Sequence, residues 1–432
     1  MPRAMRILIV GAGGREHALA WTISRSPLVS TLYAAPGNPG IAAHATCVPI
    51  AADALDDVVR FADRERIDLT VVGPEVPLVA GLADRLVAAG HAVFGPSAAA
   101  ARIEGSKAFS KDLMARHRVP TARFETFRDA AAARRYCREL ASACVVKTDG
   151  LAAGKGAIVC PTFEEADIAI AQCMERAEFG ASGRTVVIEE FLRGDEVSFF
   201  VVISGTEVMP LIAAQDHKTI FDGDRGPMTG GMGAFSPVAA FDAVTEARVM
   251  ETIVRPIAGA LAAEGAPYHG VLFVQLMLTT DGPKVIEFNC RFGDPECQVL
   301  MSRLDDDLVP AMLAVARREP LPSGLRWSDD AAVCVNLVSG GYPGRYPTGV
   351  PIELPHAVER DDLHVFHSGT AMKDGRLVTA GGRVLSVTAT APSVPEAIAR
   401  AYDAVGHINF DGMQFRRDIG TRHGPTVSAT GR

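Results

Sequence analysis

The residues best suited to chemistry lie in the run VIEFNCRFGDPE, positions 285–296. Its pattern predicts a strand over 284–289, and on a strand every second residue shares one face. Glu287, Asn289 and Arg291 therefore point the same way. A carboxylate and a carboxamide oxygen suit Mg²⁺, which takes one or two protein oxygens and fills its shell with phosphate and water. Arg291 beside them suits a carboxylate or an acyl phosphate, because its planar fork pairs with two oxygens at once. Packing alone is a poor reason for three polar residues on one core-adjacent face.

Three other segments point to a nucleotide or another anion. KTDGLAAGKG, positions 147–156, places Lys147 on a strand and Lys155 in a glycine-rich loop. It is not a Walker A loop, whose glycine and lysine spacing differs. Glycines let backbone N–H groups come close to phosphate oxygens, as a flap over a nucleotide requires. The alternative is a hairpin with two exposed lysines. Glu189, Glu190 and Leu192 follow at a strand end. Alone they are ordinary; after a glycine flap they suit a linker holding a purine ring, with Glu196 reaching the ribose hydroxyls. Near the N-terminus, GAGGRE at 11–16 approaches a dinucleotide fingerprint but has Glu16 at the third glycine position and lacks the acidic residue roughly 20 positions on. The reading that survives is an anion facing the Gly13 and Gly14 amides at a helix N-terminus, with Arg15 and His17 adding to the site. A plain tight turn and an NAD pocket stay open as alternatives.

These residues need elements to hold them. Over the first hundred positions, strands (6–10, 31–34, 69–72, 92–94) alternate with helices (15–24, 53–64, 78–89). That alternation implies a parallel sheet with ligands at the carboxyl ends of its strands. The loops at 11–14, 73–75 and 95–97 would then share one edge. Ser106 is a candidate N-cap for a helix to about 116. Strands at 144–147, 158–160 and 185–191 and a helix at 163–176 flank the glycine flap. Strands at 197–203 and 207–214 lead to a long polar loop at 215–237. A helix spans 242–264, and 271–278 pairs antiparallel with 284–289 around the Asp281-Gly282 turn. Beyond about 322, short strands (331–338, 365–368, 377–379, 384–390) and a helix (395–405) indicate a small α+β unit. The expected architecture is an α/β and α+β multidomain chain. It has an N-terminal parallel α/β sheet domain (1–104), a central region (105–322) with a flap subdomain at about 125–192, a C-terminal α+β domain (323–420) and a tail (421–432).

Composition sets limits. In a chain of 432 residues, a net charge of −8 argues against a bulk nucleic-acid binder. No apolar run approaches the roughly 20 residues that cross a bilayer. The eight cysteines include no C-x-x-C pair, so they read as reduced thiols of a cytoplasmic protein.

Taken together, these segments resemble the ATP-grasp superfamily and, within it, the phosphoribosylamine–glycine ligase family. The match runs from about residue 6 to 420. It is carried by VGAGGREHALAW, VGPEVPLVAGL, KTDGLAAGKG, TGGMGAFSP, SGGYPG, TAGGRVLSVTA and above all RFGDPE-x-Q. The resemblance makes the central region an ATP-grasp module. It implies that glycine and 5-phosphoribosylamine are joined with ATP, through glycyl phosphate, in de novo purine biosynthesis. Lys107, Lys147 and Lys155 would hold the ATP phosphates. Glu189, Glu190 and Leu192 would line the adenine, and Glu196 the ribose. Glu287 and Asn289 would bind Mg²⁺ or Mn²⁺. Arg291 would stabilise the glycine carboxylate and then the acyl phosphate. Gly13, Gly14, Arg15, Asp216, Lys218, Gly231 and Asp294 would bracket the two substrates, with Asp216 and Asp294 as candidates for taking the amine proton. No nucleic acid or membrane partner is implied, and a monomer is expected.

The sequence departs from the family pattern at Thr148 and Met228, where alanine and asparagine are usual. Gln275 lies near a position where many ATP-grasp enzymes place a second metal carboxylate. Competing readings are another ATP-grasp carboxylate–amine ligase, a non-catalytic ATP-binding sensor and, least supported, a dehydrogenase.

Overall fold

The computed structural model describes residues 4–140, 142–152, 156–355 and 358–421. Within Met5–Gly11 (β1) the apolar run Ile7–Val10 is buried on both faces, as a parallel strand covered by helices on both sides must be. It is followed by Gly14–Ser24 (α1), Val29–Pro36 (β2), Thr46–Cys47 (β3), Leu55–Glu65 (α2) and Leu69–Val72 (β4). The single helix expected over 78–89 is two, Glu75–Val79 (α3) and Leu82–Ala88 (α4), because Gly81 takes a left-handed φ of +87° and starts a new turn. Val93–Phe94 (β5) completes a parallel sheet in the order β3-β2-β1-β4-β5. The carboxyl ends of β1, β4 and β5 form one edge, as the alternation requires.

Ala98–Gly105 (α5) leads into Lys107–Arg116 (α6). Ser106 caps the second helix, its hydroxyl accepting the Phe109 N–H at 3.1 Å. A flap sheet follows: Phe124–Phe127 (β6), Ala130–Leu140 (α7), Cys144–Thr148 (β7), Ala157–Cys160 (β8), Phe163–Ile170 (α8) and Val186–Glu190 (β9). Its strand order is β6-β9-β7-β8 and all its pairs are antiparallel. Asp195–Gly205 (β10) and Glu207–Pro210 (β11) open the central sheet.

The segment 215–237, expected as an irregular loop, contains four short strands: Gln215–Asp216 (β12), Thr219–Phe221 (β13), Arg225–Met228 (β14) and Gly233–Ser236 (β15). β13 and β14 pair as a hairpin. β12 and β15 instead join the C-terminal sheet. The helical pattern of 242–264 is realised as Ala243–Val249 (α9) and Arg255–Ala263 (α10), joined by a wide turn at Met250–Val254. Tyr268–Thr279 (β16) and Gly282–Asn289 (β17) complete the central sheet, β11-β10-β16-β17. A bulge near Ile286 leaves Glu287 opposite Gln275 while Val285 faces Leu276.

Glu296–Arg303 (α11) and Val309–Arg317 (α12) connect to the last unit. Its strands are Ala331–Val338 (β18), Leu363–His367 (β19), Thr370–Lys373 (β20), Arg376–Thr379 (β21) and Arg383–Ala391 (β22), and Val394–Val405 (α13) closes it. The sheet order β12-β15-β18-β22-β19 ties the central region to the C-terminal unit by backbone pairing. Among the described residues no helix is long and apolar enough to cross a membrane.

Candidate active site

A cavity of about 460 Å³ lies where the carboxyl edge of the first sheet, the flap and the open end of β17 meet. β17 delivers Glu287 and Asn289 to its wall, and Arg291 follows just past the strand end, so the expected common face is present. Around them stand Lys107 from the first turn of α6, Lys147 from β7, and Asp216 and Lys218 from β12 and the residues after it.

Charge explains the protonation states. Burial alone would raise Glu287, but Lys107, Lys218, Lys147 and Arg291 together hold it down at about 2. It is a carboxylate at any ordinary pH. Burial pushes Asp216 the other way, up to about 8; Lys218 opposes the rise at 4.0 Å, while Glu296 and Glu196 reinforce it. Lys218 is raised, since Asp216, Glu196, Glu287 and Glu296 outweigh its desolvation. Asp294 is buried yet held low by Arg383 and Arg15. Of the two candidates for the amine proton, Asp216 is thus the stronger base.

Arg291 meets more partners than its sequence position reveals. Its Nε donates to Glu75 at 3.2 Å, and Nη2 donates to Glu104 at 3.0 Å and to Asn289 Oδ1 at 3.1 Å. Nη1 donates to the Phe292 carbonyl at 3.3 Å. Four of the five guanidinium N–H groups are therefore engaged. Glu104 also accepts the Cys290 N–H at 2.7 Å, which fixes the strand end.

At the flap, Glu190 accepts from Arg123 at 2.8 Å and lines the cavity with Leu192. Glu196 accepts from Gln275 Nε2 at 3.1 Å, while the buried Gln275 Oε1 has no hydrogen-bond partner among the described residues. Glu189 also lines the cavity, its carboxylate held in ion pairs with Lys111 at 2.8 Å and Lys147 at 2.9 Å. Lys155 lies outside the described residues.

Gly13, Gly14 and Gly231 back the cavity instead of lining it. Gly13 donates its N–H to Glu16 Oε2 at 2.6 Å, so Glu16 caps its own helix and occupies the space under Gly11, Gly13 and Gly73 that a bound pyrophosphate would need. This is the physical content of the broken dinucleotide fingerprint. A Cβ on Gly14 would strike Gln298 and Ser368, so that glycine lets α1 pack against α11 and the C-terminal unit. Gly231, at φ +116°, presses on Pro295 and accepts the Asn336 side-chain amide through its carbonyl at 2.8 Å. Arg15 is buried, donates to Glu16 at 2.6 Å and to the Phe292 carbonyl at 3.1 Å, and lines the cavity. His17 faces away, its Nδ1 accepting the His367 N–H at 2.7 Å; it takes no part in an anion site.

Sequence reasoning missed Glu75, Glu104, Lys111 and Arg383, all of which line the cavity. Lys111 follows Lys107 by four positions and so shares its helix face, a signal that was present. Glu75 follows β4 on the predicted ligand edge. Glu104 and Arg383 carry no local signal. Arg383 donates to the carbonyls of Gly230 and Asp294 and lies 3.4 Å from the Asp294 carboxylate, so the C-terminal unit supplies part of the wall.

The chain is similar to known proteins over nearly its whole length. Family models described as the N domain, the ATP-grasp (A) domain and the C domain of phosphoribosylglycinamide synthetase match residues 5–104, 105–297 and 332–422. A phosphoribosylamine–glycine ligase from Agrobacterium fabrum is 51% identical over 417 residues, 96% of this chain and 98% of the relative. The crystal structure of a phosphoribosylamine–glycine ligase from Thermotoga maritima superposes with a TM-score of 0.84 at 32% identity, covering 96% of this chain and 99% of that one. The biotin carboxylase domain of Hydrogenobacter thermophilus 2-oxoglutarate carboxylase, solved with MgADP and bicarbonate, has a TM-score of 0.75 at 17% identity over 96% and 92% of the two chains, a likeness of fold.

Proposed function

The chain belongs to the phosphoribosylglycinamide synthetase family and is an ATP-dependent ligase, and from that premise we propose that its cavity joins glycine to 5-phosphoribosylamine. The products are glycinamide ribonucleotide, ADP and phosphate. The observation that carries this reading is one cavity holding Lys107, Lys147 and Lys218 around the Glu287–Asn289–Arg291 face. Such a set has little use except to hold several phosphate and carboxylate groups together.

In this reading Lys107 and Lys147 bind the ATP phosphates, and Lys155 joins them from the flap. Glu190, Leu192 and the backbone of Glu189 border the adenine, and Glu196 takes the ribose hydroxyls. A divalent cation, Mg²⁺ in preference to Mn²⁺, would be held by Glu287 and Asn289. The residues fit: Glu287 is ionised, Asn289 Oδ1 keeps a lone pair beyond its bond to Arg291, and the partnerless Gln275 Oε1 adds a third oxygen on the paired strand. When bound, the cation would neutralise phosphate charge.

The glycine carboxylate oxygen attacks the γ-phosphorus, and the bond to the bridging oxygen of ADP breaks. Arg291 orients that carboxylate and then stabilises glycyl phosphate. The amine nitrogen of 5-phosphoribosylamine attacks the acyl carbon, inorganic phosphate leaves, and Asp216 accepts the proton lost from nitrogen. Lys218 and Asp294 border the two substrates. Arg15 from the first unit and Arg383 from the last flank the Asp294 wall, where the substrate phosphate binds with Gly13, Gly14 and Gly231 shaping the backbone behind it. The hairpin of β13 and β14 shields glycyl phosphate from water. The chain is proposed to act as a monomer. All eight cysteines are free thiols, which supports a reducing, cytoplasmic setting.

The test is ADP release by the purified protein with Mg²⁺ and ATP, omitting glycine or 5-phosphoribosylamine in turn. Release that requires both is expected. Release with a different carboxylate, or with neither substrate, would overturn the assignment.

A further inference from the structure

Lys111 is 2% exposed in the wall of the cavity, and the mechanism above gives it no task. Its Nζ makes an ion pair with Glu189 Oε2 at 2.8 Å and donates to Thr121 Oγ1 at 2.7 Å. Thr121 in turn donates to the Val285 carbonyl at 2.7 Å. On the other carboxylate oxygen, Lys147 Nζ stands 2.9 Å from Glu189 Oε1 and donates to the Ile286 carbonyl at 3.2 Å. The two lysines are thus anchored, directly or through Thr121, on consecutive β17 carbonyls immediately before Glu287. The carboxylate between them comes from the flap strand β9. Each ammonium has three N–H groups, and the described partners take two of each.

The charge count of this buried trio is what matters. With Glu189 shared by two lysines the trio is a net cation. With Lys111 removed, Glu189 and Lys147 would form a closed, neutral pair, and a buried pair in contact offers little field to a third group. We propose that Lys111 is a positioning residue for the nucleotide: by sharing Glu189 it leaves the Lys147 charge uncompensated toward the ATP phosphates and holds the flap to β17. The inference rests on the reading of this cavity as the ATP site.

Calorimetric MgATP binding and steady-state kinetics on the full chain test it. Lys111→Met should weaken MgATP binding on the order of tenfold. The KM for ATP should rise in parallel and the KM for glycine should stay put. Lys111→Arg, which keeps the charge, should return affinity to within about threefold. The decisive variant is Lys111→Met with Glu189→Gln. Removing both charges restores a net cation at Lys147, so the double variant should bind MgATP about as well as Glu189→Gln alone. That comparison also serves if Lys111→Met by itself does not fold. Unchanged MgATP affinity in Lys111→Met, or a double variant tenfold weaker than Glu189→Gln, would overturn the proposal. Wild-type protein that binds no MgATP would instead overturn the reading of the cavity.

Discussion

Arg291 is held before any substrate arrives, by Glu104 at 3.0 Å, Glu75 at 3.2 Å and Asn289 at 3.1 Å. Only a guanidinium can serve these partners and still present an N–H to a ligand; a lysine ammonium has three donors in all. Arg291→Lys should therefore lower kcat/KM for glycine by about 100-fold or more while the MgATP Kd stays within about threefold. Glycine saturation curves and direct nucleotide binding measure the two effects; an unchanged glycine KM would remove Arg291 from the glycine subsite. With Asp216 as the proposed base, the pH dependence follows from its environment. A base must be ionised to act, and burial together with Glu296 and Glu196 lifts Asp216 to about 8 against the pull of Lys218. Activity should rise with pH through that region and fall as the carboxyl protonates below it. Asp216→Asn should lose the limb and about 100-fold in kcat; a pH–rate profile of both proteins checks this. The Glu287, Asn289 and Arg291 face was legible because a period of two needs no tertiary knowledge. The Arg291 clamp was not, since Glu104 and Glu75 lie 187 and 216 positions away.

At the scale of elements, the flap is attached to the helix that begins with Lys107. Asp149, in the glycine-rich loop, accepts the Ser106 hydroxyl at 2.8 Å and the Ala108 N–H at 3.2 Å. A carboxylate at a helix N-terminus satisfies orphan donors and complements the dipole. Asp149→Ala should cost about 1 kcal/mol of stability. It should also raise the KM for ATP several-fold without moving that for glycine, because it loosens the flap and not the glycine end. Thermal melts and two-substrate kinetics read these separately. Ser106 was recognisable as a cap from sequence because capping is local chemistry. The strands within 215–237 were not. Gly233–Ser236 is four residues long, and its partners on β18 lie about 100 positions further along, so no local pattern marks it as a strand. The break at Gly81 was hidden for the opposite reason: the apolar spacing runs on while the backbone does not.

For the molecule as a whole, the first and last units meet through histidines. His17 on α1 accepts the His367 N–H at 2.7 Å through Nδ1 and packs 5.6 Å from both His44 and His367. His364 packs against Trp21, the ring centroids 4.4 Å apart and the planes tilted by 48°. None of these contacts was foreseen, because no local pattern sets the register between units so far apart in the chain. Burial drives His17 well below its ordinary value and pushes both His364 and His367 down to about 4. Arg25 deepens the fall at His364, and Asp361 and Asp362 resist it. Groups that are neutral when folded but titrate near 6.5 when unfolded bind protons preferentially in the unfolded chain. Their neutral state thus leaves stability intact above about pH 6.5, and stability is lost as pH falls from there through about 4. The Tm should drop across that window, with the first and last units separating as His17 protonates and its bond from His367 breaks. His364→Phe keeps an aromatic ring against Trp21 and removes one proton site. It should change the Tm little at pH 7 and flatten the decline between pH 6.5 and 4; calorimetric melts of both proteins at half-unit pH steps measure it. Equal slopes would mean that carboxylates elsewhere, such as Glu287, set the acid limit alone. Because β12 and β15 are built into the C-terminal sheet, opening this seam would also loosen Asp216 and Lys218, so activity should fail within the same pH window as the fold.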